Sequence, residues 1–210
     1  MFDHTTSEDT LKRRQELIVG SPQRIEALPR EAVLEDAIAS WTSMRANYNL
    51  PPGPIEDLPE IFFTMLRRPA LWDAMSKMTF ALTGSAAIGV RERELLILRV
   101  GWRNGAPYEF GEHVKKSYAA GLSGEDIARV KEGPNAEGWS ELERALILAV
   151  DELKDEVMIS DATWSTLSAH LTQEQLLELP ILIGQFTMVS YFQNALRMPL
   201  IADNKGLLAC

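Results

Sequence analysis

The stretch "RERELLILRVGWRNGAPYEFGEHV", residues 91–114, decides the fold of this chain. It reads as a helix over about 90–104, where the apolar run "LLIL" indicates that the helix is largely buried. Asn104 and Gly105 can end that helix in a left-handed conformation, and Pro107 suits the first turn of the next one. We therefore predict a helical hairpin whose second helix runs to Gly121.

Helical periodicity also dominates the rest of the chain, and alternation of the kind that marks a half-buried strand is missing. The prolines of "NLPPGPIEDLP" interrupt the chain at 49–59. We predict an all-α protein with N-terminal helices and a Pro-rich connection over 1–57 and a compact helical domain over 58–210. Further helices are predicted at 8–17, 31–47, 58–67, 69–83, after Ser123, at 140–156, 160–170 and 172–196.

Two segments of the chain repeat in the same order. "RELLIL" at 93–98 resembles "ERALIL" at 143–148, and "AAGLSGEDI" at 119–127 resembles "SAHLTQEQL" at 168–176. We interpret this as a duplicated helix hairpin. The second copy then has Met158 and Ala162 where the first has Glu109 and His113, so the fold would not require charged residues there.

Composition excludes several classes of function. The 210 residues are 46% hydrophobic and carry a net charge of −9, which disfavours nucleic acid and anionic membranes as partners. The sequence shows neither a secretory leader nor a long apolar segment, so we expect a cytoplasmic protein. The only cysteine is Cys210, which excludes an internal disulfide or a Cys-x-x-Cys pair, and three scattered histidines make a metal site improbable.

The candidate catalytic residues are His113, Glu109 and Glu94. Glu109 lies one helical turn before His113 on the same face, where a carboxylate can orient an imidazole and make it more basic. A solvated surface pair is the alternative, and it is the commoner meaning of this spacing. Glu94 favours a functional site, because a carboxylate beside an apolar helix surface should be paired or functional. A salt bridge from Glu94 to Arg91 or Arg99 is the alternative for that residue.

The chain resembles the carboxymuconolactone decarboxylase and alkyl hydroperoxidase D-like superfamily. The resemblance rests on "RERELLILRV", on "NGAPYEFGEHVKKSYAAGLSGEDI" and on the region from 159 to 196, with "RRPALWDAM" upstream. It implies an all-helical bundle and a homo-oligomer, commonly a trimer or hexamer. The peroxidase branch has two cysteines where this chain has Ala106 and Glu109, so we expect no dithiol peroxidase activity.

The decarboxylase branch instead resembles this chain in having a Glu before the His on that helix. We therefore expect an acid/base enzyme of the decarboxylase type that needs no cofactor and acts on a small organic acid or lactone. His113 would transfer the proton, Glu109 would orient it, Tyr108 would donate a hydrogen bond to a carbonyl, and Arg103 would anchor a carboxylate. A helical oligomer that binds a small ligand without catalysis is the alternative.

Overall fold

The computed structural model describes residues 7–47, 51, 53 and 58–210, and within them it contains ten α-helices and no strand. The all-α prediction is confirmed. Most of the predicted Pro-rich connection at 49–59 lies outside the described residues. The helices are α1 (Glu8–Val19), α2 (Leu34–Asn47), α3 (Glu60–Met65), α4 (Pro69–Thr83), α5 (Val90–Asn104), α6 (Pro107–Ala119), α7 (Gly124–Glu132), α8 (Glu141–Asp155), α9 (Asp161–His170) and α10 (Gln173–Leu196).

None of the helices in the described part of the chain is both long and apolar enough to cross a membrane.

Helix α5 is the central element of the bundle, because α6, α7, α8 and α10 all pack against it. Its residues from 93 to 101 are all buried, including the complete run Leu95–Leu98. Leu96 and Ile97 join one apolar cluster with α8 and α10, while Leu95 and Leu98 join a second with α6 and α7. One helix therefore divides the core of the domain into two halves.

The hairpin between α5 and α6 forms as the sequence predicts. Gly105 ends α5 in the left-handed region with φ 54°, and Pro107 occupies the first turn of α6. Gly101 allows the two helices to approach closely, since a Cβ at this position would lie 3.3 Å from the backbone of Phe110. This close packing fixes how α6 is rotated against α5.

The duplicated order is visible in the helices, as α5, α6 and α7 are followed by α8, α9 and α10. Both copies contain a capping box at the same place, Ser123 with Asp126 in α7 and Thr172 with Gln175 in α10. The correspondence that the sequence suggested for Glu109 is wrong, because Met158 lies before α9 and is exposed. Helix α9 of the second copy begins only after Met158. The second copy therefore does not show which residues the fold tolerates at the position of Glu109.

The described residues around α2 pack on the domain through a third apolar cluster. Ala37 of α2 lies in it with Phe62 and Phe63 of α3 and with Met198 after α10. The chain after α10 also returns to the domain, where the amide of Asn204 donates to the carbonyl of Tyr108 at 2.9 Å. Both ends of the described chain are thus attached around α6.

A buried ion pair joins α5 to α8. The guanidinium of Arg99 donates to both carboxylate oxygens of Asp151 at 2.8 and 2.6 Å, and neither side chain is more than 1% exposed. Arg99 also donates to the carbonyl of Val130 at 2.7 Å, near the end of α7. A single side chain therefore connects three helices.

We predict that Asp151→Asn lowers the free energy of unfolding by about 3–5 kcal/mol, because the variant removes the carboxylate to which the buried Arg99 and Arg103 both bind. Asp73→Asn is the matched control. Asp73 pairs with Lys77 on the exposed surface of α4, so its loss should cost at most about 0.5 kcal/mol. Urea unfolding of the three proteins measures both values, and equal stability of the two variants would contradict the role given to the buried pair.

Candidate active site

The structure brings together the three residues predicted to be catalytic. Glu94 comes from α5, and Glu109 and His113 come from the facing side of α6. Their exposed fractions are 1%, 3% and 3%, so the pair on α6 is not a solvated surface pair. The ring of Phe186 from α10 packs edge-on against the imidazole, with 5.3 Å between centroids. The cluster therefore lies in the interior of the chain, where α5, α6 and α10 meet.

Glu94, and not Glu109, holds the imidazole. Nδ1 of His113 lies 2.7 Å from Oε2 of Glu94, whereas Nε2 lies 3.9 Å from Oε1 of Glu109. The second oxygen of Glu94 accepts from Nε of Arg93 at 3.4 Å. The predicted roles of the two carboxyl groups are corrected accordingly, because the short contact crosses between helices and the contact within α6 is the long one.

The tautomer of His113 follows from its neighbours. Lys116 Nζ lies 3.4 Å from Nε2, and an ammonium can only donate hydrogen bonds. Nε2 is then the acceptor nitrogen, and the ring proton resides on Nδ1, directed at Glu94. The basic lone pair of the imidazole therefore faces Lys116 and Glu109.

The charges of this pair follow from burial and from its neighbours. Burial lowers the pKa of His113, and the positive charge of Lys116 lowers it further, while Glu94 opposes both effects. Burial raises the pKa of Glu94, but its contacts with His113 and the charges of Lys116 and Arg93 outweigh burial and hold it below the usual range. At neutral pH we therefore assign an ionised Glu94 and an uncharged His113.

The carboxyl of Glu109, unlike that of Glu94, has a raised pKa. Burial raises the pKa of Glu109 to about 8, and Lys116 and a hydrogen bond from Gln193 only partly oppose this effect. Its Oε1 atom has no hydrogen-bond partner, and the same is true of Oε1 of Gln193. At neutral pH the group is thus mainly a carboxylic acid, and its Oε1 lies 3.9 Å from Nε2 of the imidazole. A proton donor next to a proton acceptor is an arrangement suited to acid/base chemistry.

Of the two residues predicted to bind substrate, Arg103 lies away from the histidine cluster, whereas Tyr108 lies near Glu109 and Glu112. Arg103, near the end of α5, forms ion pairs with Asp151 at 3.1 Å and with Asp155 at 2.7 Å, so it does not join the histidine cluster. Tyr108 is buried among the apolar residues that attach the N-terminal segment. Burial raises the pKa of its hydroxyl, and the nearby carboxyl groups of Glu112 and Glu109 raise it further.

The alternatives considered for Glu94 are also settled by the contacts. Arg91 binds Asp126 and Glu143, the acidic residues of two capping boxes. Arg99 binds Asp151. Neither arginine is the partner of Glu94.

Sequence reasoning missed Lys116 and Gln193. Lys116 follows His113 by three residues and so shares its side of α6, a spacing that could have identified it. Gln193 is only 4% exposed and belongs to a helix that is otherwise mostly apolar. A polar side chain in such a helix is the signal that could have identified it.

Comparison with known proteins agrees with the fold. Residues 69–152 match the model of the carboxymuconolactone decarboxylase family. This region belongs to that family, and the chain has the alkyl hydroperoxidase D-like fold, so the resemblance stated from the sequence is confirmed. No curated protein matches the sequence.

Three kinds of solved structure are similar. A protein of unknown function from Agrobacterium tumefaciens, for which AhpD-type antioxidant defence has been suggested, is 23% identical with a TM-score of 0.60 over 66% of this chain and 95% of its own. A peroxidase-related protein with the AhpD core from Ralstonia eutropha is 17% identical, with a TM-score of 0.69 over 86% and 93%. The debrominase Bmp8, in a cysteine-to-alanine variant bound to 2,3,4-tribromopyrrole, is 14% identical, with a TM-score of 0.70 over 88% and 95%.

These structures establish the fold and leave the chemistry of this chain to its own residues, since proteins of one fold carry different activities. At the positions where the peroxidase pattern has cysteines, this chain has Ala106, fully buried at the start of α6, and the buried carboxyl of Glu109. Cys210 is a free thiol on the surface.

We predict that Glu109→Gln becomes more stable relative to the unchanged protein as the pH rises. A carboxyl with a folded-state pKa near 8 and an unfolded value of 4.5 stabilises the fold below the unfolded pKa and loses this contribution as the pH rises to 8. The stability difference should therefore grow by several kcal/mol between pH 5 and 8, at about 1.4 kcal/mol per pKa unit, and then level off. Urea unfolding across that range measures it, and a constant difference would show that Glu109 is ionised throughout.

Proposed function

We propose that this protein is an acid/base enzyme of the carboxymuconolactone decarboxylase type, which needs no cofactor and acts on a small organic acid or lactone. One observation carries the proposal: in a buried site, Nε2 of His113, which accepts from Lys116, lies 3.9 Å from Oε1 of Glu109, a carboxyl whose pKa is raised by burial to about 8. The family of residues 69–152 is consistent with this chemistry.

The two groups have complementary tasks in the reaction. Loss of carbon dioxide from a carboxylate leaves an electron pair, which must be delocalised into a neighbouring carbonyl. The neutral Glu109 can donate a hydrogen bond to the oxygen that becomes negative, and a buried donor is more effective there than water. Glu109, or His113 once its Nε2 has taken up a proton, then delivers a proton to carbon, and the group that gave it recovers a proton from solvent.

The remaining members of the cluster support these steps. Glu94 fixes the ring through Nδ1 and stabilises the imidazolium if His113 takes up a proton. Lys116 is half-buried, and its charge beside Nε2 favours an anionic substrate at this end of the site. The chemistry does not require a thiol, and the buried residues at the two cysteine positions of the peroxidase pattern do not supply one.

We predict that His113→Ala lowers turnover by roughly 10²–10⁴-fold, the usual contribution of a positioned acid or base. Glu109→Gln should cause a smaller loss, because an amide can still donate a hydrogen bond but cannot give up a proton. For the unchanged enzyme, kcat/KM should fall as the pH rises through about 8, where Glu109 ionises. Carbon dioxide release from a panel of β-keto acids and lactone carboxylates provides the assay.

His170→Ala is the matched control, because His170 is an exposed histidine paired with Glu141. It should leave turnover unchanged. Absence of turnover on the whole panel, together with absence of thermal stabilisation by any of its members, would favour the non-catalytic alternative. An active His113→Ala protein would remove the catalytic role of this cluster.

We also propose that the protein is a homo-oligomer, as the resemblance to the family implies. Large apolar side chains are exposed on the single chain, among them Leu71 and Met78 on α4 and Leu177 and Ile181 on α10. A second copy could cover such surface.

We predict a mass in light scattering that is a multiple of 23.5 kDa at micromolar concentration, with three or six copies expected. A particle of the single-chain mass under these conditions would contradict the proposal.

A further inference from the structure

A second polar site lies on the other side of α5, between α5, α8 and α10. It is a cavity of about 320 Å³, within the size range of pockets that hold small molecules. Val100, Val150, Leu153 and Ile183 form its apolar wall. In the part of the chain that the structure describes, its lining comes from these three helices and from Val157, and α6 with His113 does not contribute.

Asn104 positions a cation at the polar end of this cavity. The residue lines the cavity and is only 5% exposed. Its Oδ1 accepts from Nζ of Lys154 at 2.5 Å, which fixes the orientation of the amide because an ammonium cannot accept. The amide nitrogen Nδ2 is fully buried and does not open onto the cavity. The ammonium of Lys154 is therefore the donor that a ligand in the cavity can reach.

Other cationic side chains lie near Lys154. Arg103 and Lys154 both line the cavity, and Arg14 donates to the backbone carbonyl of Asn104 at 2.6 Å. Burial lowers the pKa of Lys154, and the charges of Arg103 and Arg14 lower it further, while Asp155 opposes them. The cations therefore repel one another, although Asp151 and Asp155 hold Arg103 in place. An anion in the cavity would relieve this repulsion.

The cavity also has room along α10. Gly184 of α10 contributes to the lining, and a Cβ added there would meet nothing within 4 Å. The apolar wall and this open space suit a flat hydrocarbon group next to the cations.

We infer that this cavity is a binding site for a small carboxylate with an apolar body, whose oxygens accept from Lys154 Nζ, the ammonium that Asn104 Oδ1 holds in place. A carboxylate offers acceptors and no donors when ionised, which matches the polar end of the cavity. Its hydrocarbon part would lie on Val100 and Ile183. The inference concerns a site separate from the His113 cluster and does not depend on the proposed function.

Benzoate is the probe for this site, and benzamide, which has the same shape without the charge, is its control. We expect saturable binding of benzoate in calorimetric titration, and binding of benzamide at least about tenfold weaker, because charge-assisted hydrogen bonds are the stronger ones. Benzoate should also shift the backbone amide signal of Gly184 in an NMR titration.

Two variants test the polar end of the site independently of folding defects. Lys154→Met removes the cation, and Asn104→Asp keeps an acceptor for Lys154 but replaces the amide with a charge that repels carboxylate. Each should weaken benzoate binding at least about tenfold. Lys77→Met, which removes a cation from an exposed ion pair, and His113→Ala should leave binding unchanged.

Each outcome of these binding experiments either supports or overturns the site. Loss of binding in both cavity variants with retention in both controls supports the site. Absence of benzoate binding, equal binding of benzamide, or binding that survives Asn104→Asp overturns it. Loss in His113→Ala alone would place benzoate in the other cluster and would also overturn the inference.

Discussion

Helix α5 is enclosed by other helices, and so every charged side chain on its buried turns must find its partner inside the protein. Stranding a charge in the interior costs far more than most single contacts contribute. Arg99 meets this constraint through Asp151, and Glu94 meets it through His113 and Arg93. The same requirement that stabilises the bundle thus also places an imidazole in one fixed orientation.

Glu109 is the exception among these buried charged groups. The hydrogen bond from Gln193 and the charge of Lys116 do not compensate for its burial, and the group responds by retaining its proton. A carboxylic acid and a neutral imidazole can then exist side by side at neutral pH, although ordinary pKa values would leave the acid ionised. Glu94 and Glu109 differ in protonation because each oxygen of Glu94 has a cationic or donating partner, whereas Oε1 of Glu109 has none.

Much of the fold could be predicted from the sequence, because helix ends depend on local signals. Gly105 and Pro107 define the turn before α6, and Ser123 and Thr172 begin α7 and α10 through capping boxes. The membership of the site was also predictable, since Glu94, Glu109 and His113 each stood out from their surroundings. The role of each carboxyl was not, because it depends on the rotation of α6 against α5, which the close approach of Gly101 to Phe110 sets.

Long-range partners explain the rest of what sequence reasoning missed. Gln193 reaches Glu109 from 84 positions further along the chain, and no local pattern connects the two. The sequence predicted that Arg103 would anchor a carboxylate of the substrate. The packing of α5 against α8 instead directs it to Asp151 and Asp155. Residues nine apart on a helix face opposite sides, because each residue turns by about 100°. Glu94 and Arg103 have this spacing. Helix α5 therefore directs Glu94 toward His113 on one side and Arg103 toward Asp151 and Asp155 on the other.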